Sequence, residues 1–460
     1  MKDSFVSSAA VFAWLSRFIN LERGQTPKSF KTERMEILAT LAGHPETCAP
    51  AIHIAGSKGK GSVTGMISAI LEAGGIKTAR YMSPHVREYR ERITAGDDFF
   101  DESVYIEAGR ELRDICETLM AGAADKFPLF SPGHEGGEGP TFFELLTLYF
   151  FLCARRAGRD FMVIETGMGG RLDPTNIASP LVSVITPIEL EHTEYLGDTL
   201  AAIAGEKAGI IKPGKPLVLA KQADEALRVF RENAAAKNAP LLFFPQAADI
   251  QGLSIRREGT DFSLGFKNPA LFPAPLALSL PIPGAVQAQN AGLAVLAVKT
   301  AFPAIGEDTI RAGLRTFKLP ARFEQVCDEP PLIIDGAHTP KSAELTVETF
   351  ISLYGEGGVL IFGCAAGKDA ESMARVLLPH FSRIIITTPG SFKASDPEKL
   401  YALFTREVLA QRTGEKTSLI CIKNTGKALQ TALAFARQRG LPVLGTGSFY
   451  LAAELRQALA

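Results

Sequence analysis

The stretch Ile52-His-Ile-Ala-Gly-Ser-Lys-Gly-Lys-Gly-Ser62, followed at once by Val63-Thr-Gly-Met-Ile-Ser-Ala-Ile-Leu71, joins an apolar β-like run to a glycine-rich turn and then to apolar residues at helical spacing. Backbone N–H groups at a helix N-terminus, with a lysine beside them, make an anion site suited to polyphosphate. The strict P-loop pattern is not met. It needs Gly at position 54, where Ile54 stands, and Ser or Thr at 61, where Gly61 stands. The loop present is Gly56-x-x-Gly59-Lys60-Gly61-Ser62, with the hydroxyl one place later. A tight structural turn between strand and helix would also account for it, so the rest of the chain has to decide.

The chain has 460 residues, enough for two or three domains. A net charge of −1 leaves no broad basic footprint for nucleic acid. Cys48, Cys116, Cys153, Cys327, Cys364 and Cys421 form no CxxC pair, which favours reduced thiols in a cytoplasmic protein over disulfides or a zinc site. The first residues lack a signal-peptide core. The most apolar stretch, Leu145 to Ala154, is too short to span a bilayer, contains Thr147 and reads as a buried helix. No membrane or nucleic-acid partner is expected, and the chain is expected to be a monomer.

Around the loop, apolar spacing predicts helices over 9–19 and 32–41, and a short strand leading to Ser83. Helices are expected over 103–120 and 141–157, with a mobile glycine-rich loop at 131–140 between them. Phe161–Glu165 and Leu181–Thr186 read as buried parallel strands, and 217–220 as another, followed by a helix over 223–237. Residues 241–281 read as a small antiparallel appendage, before helices over 287–301 and 307–317. Leu319–Phe323 reads as a linker, and strands at 332–335, 358–362, 383–387 and 441–445 follow. The expected fold is α/β: a P-loop-containing, mostly parallel sheet domain over 1–319 with a small antiparallel appendage, then a smaller Rossmann-like α/β domain over 320–460.

Ligands of open parallel sheets bind outside the carboxyl ends of the strands. Those ends carry the glycine loop, Ser83, Glu165 with Arg171 beyond it, and Glu189-Leu-Glu-His192. Hydroxyl, carboxylate and imidazole around a polyphosphate make a plausible Mg²⁺ shell, because Mg²⁺ prefers oxygen donors. Each residue also has a plainer reading: Ser83 in a turn, Glu165 paired with Arg171, His192 at a helix start. Lys207 stands in a helical pattern and reads either as a surface lysine paired with Glu206 or as a desolvated amine able to form a carbamate with CO₂.

Together these segments resemble the folylpolyglutamate synthase/dihydrofolate synthase family, a branch of the Mur-type ATP-dependent amide ligases. The resemblance rests on His53-Ile-Ala-Gly-Ser-Lys-Gly-Lys-Gly-Ser62, Ser83-Pro-His-Val-Arg-Glu-Tyr-Arg-Glu-Arg-Ile93, Thr141-Phe-Phe-Glu-Leu-Leu-Thr147 and Glu165-Thr-Gly-Met-Gly-Gly-Arg-Leu-Asp-Pro-Thr-Asn176. It continues through Glu191-His-Thr-Glu-Tyr-Leu-Gly197, Glu206-Lys-Ala-Gly209, Gln287-Ala-Gln-Asn290, Pro320-Ala-Arg-Phe-Glu324, Asp335-Gly-Ala-His338 and Gly445-Thr-Gly-Ser-Phe-Tyr450, in family order. The departures are Ser57-Lys58 in the loop, Glu191 where Asp is frequent, Thr339 where Asn is usual, and Thr388 to Ser395.

The resemblance implies a ligase that adds L-glutamate to dihydropteroate or a reduced folate through an acyl phosphate made from ATP. It places Gly56, Gly59, Lys60, Gly61 and Ser62 on the ATP phosphates, with Ser62, Ser83 and Glu165 on a first Mg²⁺ and His192 on a second. Lys207 falls where the family carries its carbamylated lysine. Asn290 would contact the nucleotide, Arg322 its phosphates, Asp335 its ribose, and His338 would lie at the nucleotide site; Lys60, His192 and Lys207 form the expected catalytic set. Residues 83–93 would face the pterin-bearing substrate. Another Mur-type amino-acid ligase shares the loop and metal chemistry, and a P-loop NTPase module shares the loop alone.

Overall fold

The computed structural model describes residues 5–20, 31–122, 126–131, 139–390, 394–410 and 417–459. Seven strands build the first sheet: β1 (Ala51–Ala55), β2 (Thr78–Tyr81), β3 (Ile93–Ala95), β4 (Phe161–Glu165), β5 (Val182–Ile185), β6 (Leu217–Leu219) and β7 (Leu241–Phe243). Their order is β3-β2-β4-β1-β5-β6-β7. All pairs are parallel except β2 with β3. Strands buried on both faces read as unbroken apolar runs rather than alternating ones; β1, β2, β4 and β5 are accordingly buried at every residue. The stretch from Leu145 to Ala154 is a fully buried part of the helix Phe142–Arg156. That helix starts with a capping box in which Thr141 and Glu144 exchange side-chain and backbone hydrogen bonds. Among the described residues no helix is long and apolar enough to cross a membrane.

The second sheet holds β11 (Glu324–Asp328), β12 (Pro331–Ile334), β13 (Gly358–Phe362), β14 (Phe381–Ile386), β15 (Ser418–Cys421) and β16 (Val443–Thr446). Its order is β11-β12-β16-β13-β14-β15, antiparallel only at β11. Between the two sheets in sequence lie β8 (Ala248–Arg256), β9 (Gly259–Phe266) and β10 (Leu276–Leu280), ordered β10-β9-β8. The chain divides into two compact units, one of residues 1–253, 261–279 and 288–317, the other of 254–260, 280–287 and 318–460.

Several expectations need correction. Leu241–Phe243 pairs with β6 as a parallel edge strand of the first sheet, so the appendage starts at Ala248. The three residues are too few for the antiparallel pattern to be told from a parallel edge. The first helix runs Ser8–Leu15 rather than 9–19. Strands β3, β11 and β15 were not expected; each is short and none holds an apolar run of more than three residues. Residues 132–138 of the expected mobile loop, and 391–393 of the departing segment, lie outside the described residues.

The helix after the glycine loop, Lys60–Ala73, is fixed from behind by the helix Glu307–Thr316. The two approach so closely that a Cβ on Gly313 would lie 2.5 Å from the Ile70 Cα and 2.6 Å from the Ala69 carbonyl oxygen. Alanine at an exposed helical site gains about 1 kcal/mol over glycine, but here it would press on backbone that cannot turn away, at a cost of roughly 1–3 kcal/mol. Gly313→Ala is therefore expected to lower stability in denaturant unfolding; a stabilised variant would show that the two helices are free to separate.

Candidate functional site

β1 ends at the loop, and three neighbouring elements close on it. Gly56 has φ +147°, and a side chain there would collide with the Thr186 hydroxyl at the end of β5. Gly59, with φ +86°, caps the loop helix, and a Cβ on it would sit 2.6 Å from Asn290 Oδ1. A Cβ on Gly61 would lie 3.2 Å from Met82 Cε and 3.6 Å from Glu165 Oε2, so the ends of β2 and β4 both face the loop. At these first two glycines the positive φ and the close approach together exclude a side chain.

The N–H groups of Ser57 and Lys58 both donate to the Pro187 carbonyl, at 3.0 and 3.1 Å, and the Ser57 hydroxyl donates to the Glu189 carbonyl. These bonds tie the loop to the segment after β5. The N–H groups of Lys60, Gly61 and Ser62 occupy the first turn of a 14-residue helix, where no intrahelical acceptor exists. Lys60 Nζ donates to the Gly56 carbonyl at 3.0 Å and lies 4.0 Å from Glu165 Oε1.

Lys207 is not a surface lysine. Its side chain is 1% exposed, and Nζ donates to the same Gly56 carbonyl at 2.9 Å and to Glu191 Oε1 at 3.1 Å. Glu206 instead pairs with Arg171, at 2.7 Å, which also removes the plainer reading of Glu165 as Arg171's partner. Burial pushes the Lys207 ammonium down to about 8, against the pull of Glu191 and with a further push from Lys60. Burial alone would raise the Glu191 carboxyl, but Lys207 first, then Lys60, His192 and Lys58, bring it down to about 2. Glu191 is thus the partner that holds Lys207 charged; the sequence hinted at it by its place at a strand end and in the Glu191–Gly197 segment.

Ser62 is buried in the first turn of the loop helix, Glu165 is buried at the end of β4, and Ser83 is half-buried after β2. His192 is exposed, with φ 48°, at the start of the short helix Thr193–Leu196. Among the described residues no three His, Cys, Asp or Glu side chains converge as a metal cage. The donor set is one carboxylate and two hydroxyls, which suits a Mg²⁺ ion that keeps waters and phosphate oxygens as its other ligands. A side chain at Gly61 would touch the Glu165 carboxylate, since its Cβ would come 3.6 Å from Oε2.

The segments 83–93 and 141–147 do meet. Tyr89 stacks on Phe12 at 5.4 Å, lies 4.3 Å from the His85 ring and 6.2 Å from Phe142. Arg92, fully buried, donates from Nε to His85 Nδ1 at 2.8 Å, and burial followed by Arg92 pushes the His85 imidazole down to about 3.

The second unit carries its own group at the ends of β12 and β16. Asp335 is buried and accepts from Phe323 N–H at 2.8 Å, Ala337 N–H at 2.8 Å and the Thr346 hydroxyl at 3.1 Å. Burial raises its carboxyl, opposed chiefly by Arg322. His338 Nδ1 donates to the Gly336 carbonyl at 2.8 Å, which leaves the proton off Nε2 in the neutral ring. Phe449, which stands within the Gly445–Tyr450 segment but had no role assigned to it, lies under Arg322 at 4.1 Å.

The Mur ligase middle domain model matches residues 119–298 and the Mur ligase glutamate ligase domain model matches 321–449. A folylpolyglutamate synthase from Lacticaseibacillus casei is 30% identical over 442 residues, covering 94% of this chain and 96% of that protein. The chain belongs to the folylpolyglutamate synthase/dihydrofolate synthase family. A probable bifunctional folylpolyglutamate synthase/dihydropteroate synthase from Haloferax volcanii is 32% identical over 434 residues, covering 92% of this chain; the chain spans about half, 48%, of that protein. The crystal structure of the Mycobacterium tuberculosis folylpolyglutamate synthase complexed with ADP and AMPPCP superposes with a TM-score of 0.83 at 26% identity, over 98% of each chain. The α/β architecture with its two parallel sheets is that of this family's structures.

In this member of the folylpolyglutamate synthase/dihydrofolate synthase family, the Lys207–Glu191 pair has a pH signature. Glu191→Gln leaves a buried ammonium without its partner, and at pH 6 it should cost roughly 2–3 kcal/mol. Above the Lys207 value of about 8 the amine is neutral and the pair's attraction fades, so at pH 9.5 the loss should shrink below about 1 kcal/mol. Denaturant unfolding at both pH values checks this; an equal loss at each would exclude the ion pair as its cause.

Proposed function

We propose that the chain is an ATP-dependent carbon–nitrogen ligase that joins L-glutamate to the carboxylate of dihydropteroate or of a reduced folate, releasing ADP and phosphate. The observation that carries this reading is the meeting of Lys60 and Lys207 at one carbonyl of a glycine loop, beside the Glu165 carboxylate. Family membership and the ATP analogue AMPPCP in the M. tuberculosis relative support the nucleotide. The aromatic cluster of Tyr89, His85 and Phe142 supports a flat, conjugated acceptor.

In this reading the triphosphate lies on the N–H groups of Lys60, Gly61 and Ser62, and Lys60 exchanges its carbonyl partner for a phosphate oxygen. The acceptor's carboxylate oxygen attacks the γ-phosphorus and ADP leaves, giving an acyl phosphate. The glutamate amine then attacks the acyl carbon, and collapse of the tetrahedral adduct expels phosphate and leaves the amide. Positioning and charge neutralisation do most of the work of the phosphoryl step. Ser62, Ser83 and Glu165 would hold one Mg²⁺ and His192 a second; such ions offset the triphosphate's charge and make the γ-phosphorus more electrophilic. Asn290, Arg322, Asp335 and His338 are assigned to the nucleotide. A carboxylate has about four acceptor positions, and the hydrogen bonds to Asp335 use three, leaving one for a ribose hydroxyl.

Lys207 meets the chemical requirement for carbamylation, an amine held away from water and lowered to about 8. Its carbamate would face Glu191, so a cation is needed between the two anions. Six free cysteines fit a reducing cytoplasm, and a monomer acting on small molecules fits the balanced charge.

Incubation with ATP, glutamate and either dihydropteroate or a reduced folate should release phosphate only when both glutamate and acceptor are present. Lys60→Ala should slow this by about 10²-fold or more while leaving the fold intact. Phosphate release that ignores glutamate would overturn the ligase reading. With ¹³C-labelled CO₂ at fixed dissolved concentration, a carbamate resonance should grow as pH rises from 6 through 8, where the amine sheds its proton, and should vanish in Lys207→Arg. A wild-type spectrum with no such resonance at pH 9 would remove the carbamate from the scheme.

A further inference from the structure

Arg322 is presented by backbone that L-residues avoid. Ala321 and Phe323, on either side of it, have φ of 57° and 44°. Two left-handed non-glycine residues within three positions persist only where their surroundings over-determine them. Here Gly336 N–H donates to the Ala321 carbonyl at 2.9 Å, Ala321 N–H donates to Glu324 Oε2 at 2.9 Å, and Phe323 N–H donates to Asp335 at 2.8 Å. Every one of these bonds fixes the peptide units around Arg322 and none of them reaches its side chain.

The side chain packs on a different group. The Arg322 guanidinium carbon lies 4.1 Å above the Phe449 ring centroid. Phe449 is half-buried. It opens the helix Phe449–Gln457, whose N-cap Ser448 accepts from Tyr450 N–H at 3.1 Å, so the ring's base is fixed. Its edge rests on Gly336, where any Cβ would overlap the ring, and its centroid is 5.8 Å from that of His338. The Phe449 ring therefore borders both Arg322 and His338. Stacking uses the face of a guanidinium and not its N–H fork, so it can orient the group toward an anion without consuming a donor.

We infer that Phe449 is a positioning residue that holds the Arg322 guanidinium ready for the phosphates of the nucleotide. The inference rests on the assignment of Arg322 to the nucleotide under the proposed function, and it adds a residue that acts through Arg322 rather than on the ligand.

AMPPCP binding with Mg²⁺ is measured by calorimetry for the unaltered chain, Arg322→Ala, Phe449→Leu, Phe449→Trp and the double variant Arg322→Ala/Phe449→Leu. Arg322→Ala should weaken binding by about tenfold or more. Phe449→Leu should weaken it about three- to tenfold, and Phe449→Trp, which restores an aromatic face, should stay within about twofold of the unaltered chain. The double variant should bind no more weakly than Arg322→Ala alone, because the leucine has nothing left to disturb. Effects that multiply in the double variant, or wild-type affinity in Phe449→Leu, overturn the inference. A second readout does not need the nucleotide: the side-chain N–H resonances of Arg322, shifted by the ring current, should move toward ordinary arginine values in Phe449→Leu. If they stay in place, positioning by Phe449 is wrong whatever the affinities. If the unaltered chain does not bind AMPPCP, the nucleotide assignment fails, and the resonance still decides the contact.

Discussion

Two ammonium groups donate to one carbonyl oxygen, that of Gly56, and the first unit is arranged around that crowding. Their distances to the shared oxygen keep the two nitrogens within about 6 Å, where like charges at an effective dielectric near 20 repel by roughly 3 kcal/mol. Glu191 offsets the repulsion from one side and Glu165, 4.0 Å from Lys60, from the other. Without a ligand the arrangement is balanced but not relaxed. A polyanion on the adjacent N–H groups would take over the compensation of Lys60, which accounts for a chain that keeps a lysine at a fully buried position next to another.

That placement of Lys207 is enforced from a distance by a chain of buried hydrogen bonds. His53 on β1 is buried and pushed down to about 3, by burial first and Lys212 second, so its ring is neutral. Thr175 donates to Asp173, at 2.5 Å, and its oxygen must therefore accept from His53 Nε2, at 2.8 Å. Asp173 also accepts from Met168 N–H. The chain of bonds ties the loop after β4 to the central strand. The same loop sets the end of the helix Leu200–Lys207: Arg171 N–H donates to the Glu206 carbonyl at 2.7 Å, and a Cβ on Gly170 would lie 3.0 Å from the Lys207 Cα. Glycine at 170 is what lets the loop touch that helix.

How much of this the sequence disclosed depended on whether a residue's role was local. Apolar runs at β1, β4 and β5 and the helical spacing over 141–157 are short-range signals, and each became the element it suggested. The glycines of the loop were equally legible, since a tight turn demands them wherever it occurs. Lys207 was ambiguous because its burial is decided by Glu191, 16 residues away, and by Gly56, 151 residues away. The edge strand β7 was misplaced because three apolar residues carry no periodicity, and only pairing with β6 says which sheet they join. Left-handed backbone at Ala321 and Phe323 had no signal at all, since neither residue type prefers it.

The two units reach unusual backbone at their charged groups by different means. In the first, glycine supplies the unusual backbone, so the loop can reach its conformation without strain and the energy goes into holding charges close together. In the second, Ala321 and Phe323 adopt positive φ without glycine's freedom, which costs about 1–2 kcal/mol each. Glycine at either place would remove that cost but would also loosen the segment in the unfolded and folded chain alike. An alanine and a phenylalanine held by Asp335 and Glu324 make the segment stiff as well as bent. A stiff segment is worth its strain only if the residue it carries has to be in one place, and the residue between them is Arg322.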